Sequence, residues 1–235
     1  MDCGSDKVHG LARHGIDWTH LTHVAVTHEH ADHVGDLAAL MLAMRHGPGV
    51  PREMLLTLLG PSGFRAWLER ASEALGRHLT DPGRPCDIVE VEPAKPYVDA
   101  ARGLRIEACA TPHTGLSVAY RLTARDGVVG YTGDTGPSEA VASFLEGVDV
   151  RICECGLSEV GERPGHLAPE DVVALARVVR PAVTVLTHVY PPQAPRDAAE
   201  RVRSGYAGRV VAAFDGMVLR SGRQGWTVDP DPVDV

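Results

Sequence analysis

The sequence has no apolar run of about 18 residues, the length that a membrane-spanning helix needs. Residues 1–20 are polar and have no apolar stretch of the secretory kind, so we expect a cytoplasmic protein without a membrane partner. The five cysteines are odd in number and follow no pattern, which favours reduced thiols over a disulfide framework. Internal repeats and low-complexity linkers are also missing. With 44% hydrophobic residues, the chain can bury one core, and we expect a single domain over residues 1–235.

Positive charge is also scarce, since 23 basic residues face 31 acidic ones and the net charge is −8. Affinity for nucleic acid comes mainly from Lys and Arg replacing condensed counterions, so a large nucleic acid is a doubtful partner. A small molecule or a short nucleotide suits this balance better. Four arginines lie close together in the sequence: Arg196, Arg201, Arg203 and Arg209. They could form a local basic patch, or they could lie on a solvated helix face.

The most informative segment reads H-x-H-x-D-H and contains His28, His30, Asp32 and His33. Imidazole and carboxylate groups at this density are typical ligands of first-row metals. A solvated polar loop is the alternative interpretation. The pattern predicts a metal site.

The residues on either side of this segment predict its local geometry. Residues 21–27 contain a β-branched run typical of a strand, whereas 36–46 carry apolar residues at helical spacing. The four candidate ligands therefore lie on a strand-to-helix loop, where successive side chains can turn toward one point. On a continuous strand, His28 and Asp32 would point to one face and His33 to the other.

Strands and helices alternate along the rest of the chain, which predicts an α/β protein whose sheets are covered by helices. The predicted helices are 36–46, 62–79, 137–146, 168–179 and 195–204. The predicted strands are 21–27, 87–91, 104–110, 117–123, 128–132, 149–154, 183–187, 209–214 and 217–220.

Three more polar residues follow predicted strands. His113 follows the strand that ends near Ala110, Asp134 follows strand 128–132, and His188 follows strand 183–187. Each could be an ordinary turn or capping residue when taken singly, and a lone histidine is more often structural than a ligand. Their order after the first cluster makes them a second group of candidate ligands.

The whole series resembles the metallo-β-lactamase superfamily, whose members share H-x-H-x-D-H, then a His, an Asp in a Gly-Asp-Thr type of turn and a final His. The resemblance implies a four-layer αβ/βα sandwich with two metal ions at its rim. It implies that one metal is held by His28, His30 and His113, the other by Asp32, His33 and His188, and that Asp134 bridges them. Two Zn²⁺ suit this ligand set, although iron and manganese accept the same ligand types.

Within that superfamily, the chain is most similar to ribonuclease Z and its phosphodiesterase relatives. The resemblance rests on Met-Asp-Cys-Gly at 1–4, Cys-Glu-Cys-Gly at 153–156 and Gly-His-Leu-Ala-Pro-Glu-Asp at 165–171. It implies that His166 donates a proton to the leaving oxygen with Glu154 as its partner, and we count Asp32 with these two as catalytic. The alternative interpretation of His166 is a polar residue at a helix start. Cys153 and Cys155 could suggest metal ligands, but the buried strand predicted just before them favours small core side chains.

The chain also departs from the ribonuclease Z pattern. Those enzymes usually insert a long tRNA-gripping arm between the fourth His and the bridging Asp, whereas here a hairpin turned at residues 125–127 fills that span. Residues 189–193 read Val-Tyr-Pro-Pro-Gln instead of the family's Ser and Arg-Tyr. Family members normally begin with strands before the Asp-Cys-Gly turn, so we expect either a first sheet without its opening strands or a start inside a longer reading frame.

Three functions remain open from the sequence. The first is a dinuclear zinc phosphodiesterase acting on a small or short nucleotide-type diester. The second is a hydrolase of a carboxylic or sulfate ester, a lactone or a thioester on the same metals, and the third is a metal-binding protein without catalysis. The family resemblance is also compatible with a homodimer.

Overall fold

The computed structural model describes residues 1–222 and 225–229. Its helices are α1 (Lys7–Arg13), α2 (Ala31–Val34), α3 (Leu37–His46), α4 (Phe64–Leu75), α5 (Glu139–Phe144), α6 (Pro169–Val179) and α7 (Pro195–Gly205). Its strands are β1 (His23–Ala25), β2 (Leu56–Gly60), β3 (Cys86–Glu90), β4 (Tyr97–Asp99), β5 (Leu104–Ala110), β6 (Val118–Ala124), β7 (Gly127–Tyr131), β8 (Val150–Glu154), β9 (Val183–Thr187), β10 (Arg209–Ala212), β11 (Val218–Gly222) and β12 (Gly225–Asp229). The α/β class predicted from the sequence is confirmed.

The chain divides into two compact units, of which the first is Met1–Glu92 and the second begins at Pro93. The expectation of a single domain stays a prediction. In the first unit, β1, β2 and β3 form a parallel sheet in that order. All five residues of β2 are buried, and α3 packs its buried residues Leu37, Leu40, Met41 and Met44 into the same hydrophobic core. This spacing places the four side chains on one face of the helix.

The second unit is built on a seven-stranded sheet of order β10-β9-β8-β7-β6-β5-β4. Strands β4 to β7 pair antiparallel, and β7 to β10 pair parallel with α5, α6 and α7 in the connections. Strand β5 therefore runs in the same direction as β7, β8 and β9. The C-terminal ends of these four strands lie along one edge of the sheet. The predicted site residues of this unit come at or just after those strand ends.

Most predicted elements are present with shifted ends, and two differences have clear local causes. The predicted helix 62–79 ends as α4 at Leu75, because Gly76 has φ 111°, and a separate 3₁₀ turn covers Arg77–Leu79. Strand β2 was not predicted, because a continuous apolar run has no periodicity that separates a buried strand from a helix. The prediction also missed several shorter elements: α1, α2, β4 and β12.

At the N-terminal side of the first sheet, residues 1–22 contain no strand, and β1 forms an edge of the three-stranded sheet. The backbone N–H of Asp2 donates to the carbonyl of Ala25 on that edge at 2.7 Å. A turn thus supplies a contact that a neighbouring strand would otherwise make. Among the described residues, no helix is long and apolar enough to span a membrane.

All five cysteines are free thiols, as predicted. Cys153 and Cys155 are buried in one hydrophobic cluster of the second unit, which supports their interpretation as core side chains. Burial raises the pKa of Cys3 to about 12, with the charge of Asp36 adding to the effect, and burial raises the pKa of Cys155 well above its usual range. Burial likewise raises the pKa of Cys86 to about 11.

We therefore expect slow alkylation of the folded protein by iodoacetamide at pH 8. The reactive species is the thiolate, and a raised pKa keeps the buried thiols protonated until the pH approaches 11 to 12. Peptide mass spectrometry should find Cys3 and Cys155 unlabelled in the folded protein and all five cysteines labelled in urea. Rapid labelling of Cys3 or Cys155 without urea would contradict the burial described here.

Candidate metal centre

The first unit brings together the four predicted ligands of the H-x-H-x-D-H segment. His28 and His30 lie on the loop after β1, as predicted, whereas Asp32 and His33 lie in the short helix α2 and not on the loop. The ring of His28 is buried, with centroids 4.6 Å from the ring of His30 and 4.1 Å from that of His33. His28 Nε2 lies 3.0 Å from His30 Nδ1, and Asp32 Oδ2 lies 3.6 Å from His33 Nε2.

Asp2 holds this segment in place, a role that the sequence analysis did not assign. Its carboxylate accepts hydrogen bonds from the Thr27 N–H at 2.7 Å and the Thr27 hydroxyl at 3.0 Å. The same carboxylate lies 2.7 Å from His33 Nδ1, so that nitrogen carries the proton and the lone pair is on Nε2, the atom facing Asp32. The Met-Asp-Cys-Gly turn, where Asp2 has φ 50°, was the available signal.

Position 4 requires glycine because its backbone packs closely against the H-x-H-x-D-H segment. A Cβ added to Gly4 would lie 1.8 Å from the carbonyl oxygen of Asp32. A backbone hydrogen bond also joins this turn to the H-x-H-x-D-H segment, since the Cys3 N–H donates to the His33 carbonyl at 2.7 Å. The turn at residues 2–4 is thus part of the support for the ligands.

The second unit brings together the remaining predicted ligands at one edge of its sheet. Asp134, whose side chain is 3% exposed, follows β7, and its Oδ2 lies 3.2 Å from His188 Nε2 and 3.6 Å from His113 Nε2. His113 Nδ1 lies 2.9 Å from the carbonyl oxygen of Gly165. Because that carbonyl can only accept, His113 carries its proton on Nδ1 and presents its Nε2 lone pair toward Asp134.

The predicted pair of His166 and Glu154 is in contact. His166 Nδ1 lies 3.1 Å and 3.3 Å from the two carboxylate oxygens of Glu154. The buried carboxylate also accepts backbone N–H bonds from three residues, at 2.7 Å from Thr135, 3.2 Å from Gly156 and 3.1 Å from Leu167. The Glu154 carboxylate is thus held in place by the backbone, and it orients the His166 ring with Nδ1–H toward itself.

Helix α6 fixes the position of His166. Pro169 occupies the first turn, and the Asp171 carboxylate accepts from the Ala168 N–H at 3.0 Å, which defines the start of the helix. Gly165, with φ 86°, turns the chain just before His166. The Gly165 carbonyl accepts from His113, and the next residue, His166, contacts Glu154. One short segment therefore positions both His113 and His166.

The donor spacing within the units fits a metal of the zinc type. Two ligand atoms bound at 2.0–2.1 Å in a tetrahedron lie roughly 3.3 Å apart. The contacts of Asp134 Oδ2 with His188 and His113, at 3.2 Å and 3.6 Å, bracket that distance. Ligand atoms of Glu154, His166 and His188 also lie within 4.8 Å of one another.

Comparison with known proteins agrees with these observations. The profile of the family described as Beta-lactamase superfamily domain matches residues 1–189. The uncharacterized protein Rv1339 of Mycobacterium tuberculosis is 28% identical over 215 residues, which cover 90% of this chain and 77% of that protein. Ribonuclease Z of Pyrobaculum arsenaticum is 28% identical over 220 residues, which cover 80% of this chain and 75% of that enzyme.

The metallo-beta-lactamase fold protein YhfI from Bacillus subtilis superposes with a TM-score of 0.77 at 21% identity. The match covers 92% of this chain and 84% of that structure. At this identity, the likeness shows the fold alone.

The fold and the metal-competent side chains define the class as metal-dependent hydrolases. The chain belongs to the beta-lactamase superfamily domain family and has the metallo-β-lactamase fold. The family resemblance and the fold expected from the sequence are confirmed.

Replacing Glu154 by Gln should destabilise the protein by about 1–3 kcal/mol. The amide NH₂ group would face at least one of the backbone N–H donors that now bond the carboxylate, which leaves a buried donor unsatisfied. The midpoint of urea unfolding measures this loss. Glu200→Gln, an exposed change on α7, is the matched control, and equal unfolding of the two variants would contradict the role of Glu154.

Proposed function

We propose that this protein is a dinuclear metal hydrolase that cleaves a small or short nucleotide-type phosphodiester. The observation that carries the proposal is the buried carboxylate of Asp134, which lies against ring nitrogens of three histidines at 3.2 Å, 3.6 Å and 3.9 Å. A buried carboxylate that lies close to the ring nitrogens of several histidines is typical of a metal centre.

We assign the ligands as the family resemblance implies. One ion would be held by His28, His30 and His113. The other would be held by Asp32, His33 and His188, and Asp134 would be shared by both ions. Zn²⁺ is the proposed metal at both positions, because imidazole and carboxylate donors suit it. When bound, such a pair lowers the pKa of a water molecule toward about 7 and neutralises charge on a phosphoryl group.

The protein's own residues then have three tasks. Asp2 and the Gly165 carbonyl hold the protons of His33 and His113 on Nδ1, which keeps both Nε2 atoms as donors of a lone pair. Glu154 fixes the ring of His166 through Nδ1–H, which leaves Nε2 as the nitrogen that can carry a proton to the substrate. His166 donates that proton to the departing oxygen, so the leaving group departs as an alcohol.

The choice of a small diester rests on charge and on the length of one connection. The net charge of −8 disfavours a large polyanion. Between His113 and Asp134 the chain forms only the β6–β7 hairpin, in which Ala124 pairs with Gly127 across a two-residue turn. The hairpin predicted from the sequence is confirmed, and it leaves no room for an inserted arm. A cytoplasmic location and a homodimer remain predictions.

Replacing His166 by Ala should slow cleavage in proportion to the need for a proton at the leaving oxygen. We expect a loss of about 100- to 10,000-fold with a cyclic nucleotide, whose leaving group is an alkoxide. With bis(p-nitrophenyl) phosphate the loss should be much smaller, because p-nitrophenolate departs without protonation. Steady-state rates for both substrates measure the difference.

The control for this variant is its metal content, which should equal that of the parent protein by mass spectrometry. Equal losses with both leaving groups would exclude His166 as the general acid. Turnover of carboxylic or sulfate esters, lactones or thioesters, with no turnover of any phosphodiester, would contradict the proposed reaction.

Replacing Asp134 by Asn should remove metal as well as activity. The change deletes the anion that faces His113 and His188, and we expect the metal content to fall from about two ions per chain to one or none. Asp229→Asn, on exposed strand β12, is the control and should keep both ions. Full metal content in the Asp134 variant would contradict the assignment of this residue.

A further inference from the structure

One aromatic side chain differs from all others in its exposure. The chain has 3 Trp, 5 Tyr and 3 Phe, all within residues 1–222 and 225–229, and of these only Tyr190 is exposed. Its exposed fraction is 42%. Large aromatic groups are usually buried, and an exposed one beside a candidate active site favours a role in ligand contact.

Tyr190 lies directly against a proposed metal ligand. The ring centroids of Tyr190 and His188 are 4.7 Å apart, with an interplanar angle of 83°. The cause is the backbone, because His188 has φ 57° and turns the chain sharply as it leaves β9. A phosphate held beside His188 would therefore place its substituents within about one ring width of Tyr190.

The residues that follow restrict the backbone at Tyr190. The Gln193 N–H donates to the Tyr190 carbonyl at 3.2 Å, which closes a turn over residues 190–193. Pro191 and Pro192 occupy its two central positions and restrict the backbone. We refer to residues 190–193 as the Tyr-Pro-Pro-Gln turn. A restricted turn holds an aromatic surface with little loss of conformational entropy on binding.

Gln193 supplies a second polar feature in the same turn. Its amide oxygen and nitrogen are both shielded from solvent, and neither has a hydrogen-bond partner among the described residues. An amide left in this state costs folding free energy, and a ligand that offers both a donor and an acceptor would recover it. The edge of a nucleobase carries such a pair of groups.

We propose that the Tyr-Pro-Pro-Gln turn binds the base of a nucleoside-containing phosphodiester. Tyr190 stacks on the planar base, and the Gln193 amide turns to pair with its edge. This inference rests on the proposed function and narrows its substrate class, because diesters without a base gain nothing from the turn. Stacking on an aromatic side chain is tolerant of base identity, since every base has a π face.

The test compares two substrates that share a leaving group. One is thymidine 5′-(p-nitrophenyl phosphate) and the other is methyl p-nitrophenyl phosphate, so the reacting bond is the same and only the nucleoside differs. The quantity measured is the ratio of kcat/KM for the nucleoside substrate to kcat/KM for the methyl substrate. The parent protein should favour the nucleoside substrate.

Tyr190→Leu should lower that ratio by about 5- to 150-fold, the range expected for one lost base stack. The loss should be in KM more than in kcat, and Tyr190→Phe should restore the ratio because the π face returns. Tyr97→Leu, on edge strand β4 at the other side of the seven-stranded sheet, is the matched control and should leave the ratio unchanged.

The outcomes separate the two proposals. If the parent protein cleaves neither substrate nor any other phosphodiester, the proposed function is wrong. If it cleaves both and Tyr190→Leu lowers their kcat/KM values equally, Tyr190 only packs against His188 and the inference about the base is overturned.

Gln193→Met provides a readout that a structural role would not give. Removing an unsatisfied buried amide should keep or raise the thermal midpoint of unfolding, while the substrate ratio should fall by about 2- to 10-fold. A lower thermal midpoint with an unchanged ratio would show that the amide supports the fold and would overturn its part in base recognition.

Discussion

The buried carboxylate of Asp134 is the group around which the candidate site residues of the second unit are arranged. It is almost fully buried, and ring nitrogens of His188, His113 and His166 lie 3.2 Å, 3.6 Å and 3.9 Å from it. A buried anion is costly unless cations or hydrogen-bond donors compensate it, and the ring of His113 points a lone-pair nitrogen toward it. A bound cation would compensate this charge, with the Asp134 carboxylate and the imidazole nitrogens as the groups that would hold it.

The surrounding structure delivers these groups with ordinary elements. Strands β5, β7, β8 and β9 run in the same direction and end at one edge of the second sheet, which brings together residues that are far apart in sequence. Backbone groups then set the protonation of the rings, as the Gly165 carbonyl does for His113. In the first unit a side chain has this task, since Asp2 fixes His33 and Thr27 at once. The turn at residues 2–4 is therefore functional support as well as a connection.

Which candidate ligands lie close together could be predicted from the sequence better than the groups that hold them in place. The H-x-H-x-D-H segment and the residues after strands are visible because ligand chemistry restricts residue type, and the contact between Glu154 and His166 followed from a motif. Strand β2 was missed because its uninterrupted apolar run has no period. Asp2 and Tyr190 were missed as site residues for another reason. Their roles come from a left-handed backbone at Asp2 and at His188, and no local residue pattern reveals which ring or carbonyl such a turn will face.

The central claim is that the histidines and carboxylates of this chain hold two adjacent metal ions. X-ray absorption spectroscopy at the zinc edge of the metal-loaded protein tests it most directly. The account predicts a first shell of nitrogen and oxygen at about 2.0–2.1 Å and a metal-to-metal distance of about 3.5–4 Å. A sulfur shell near 2.3 Å, or a spectrum with one isolated ion per chain and no metal-to-metal scattering, would contradict it.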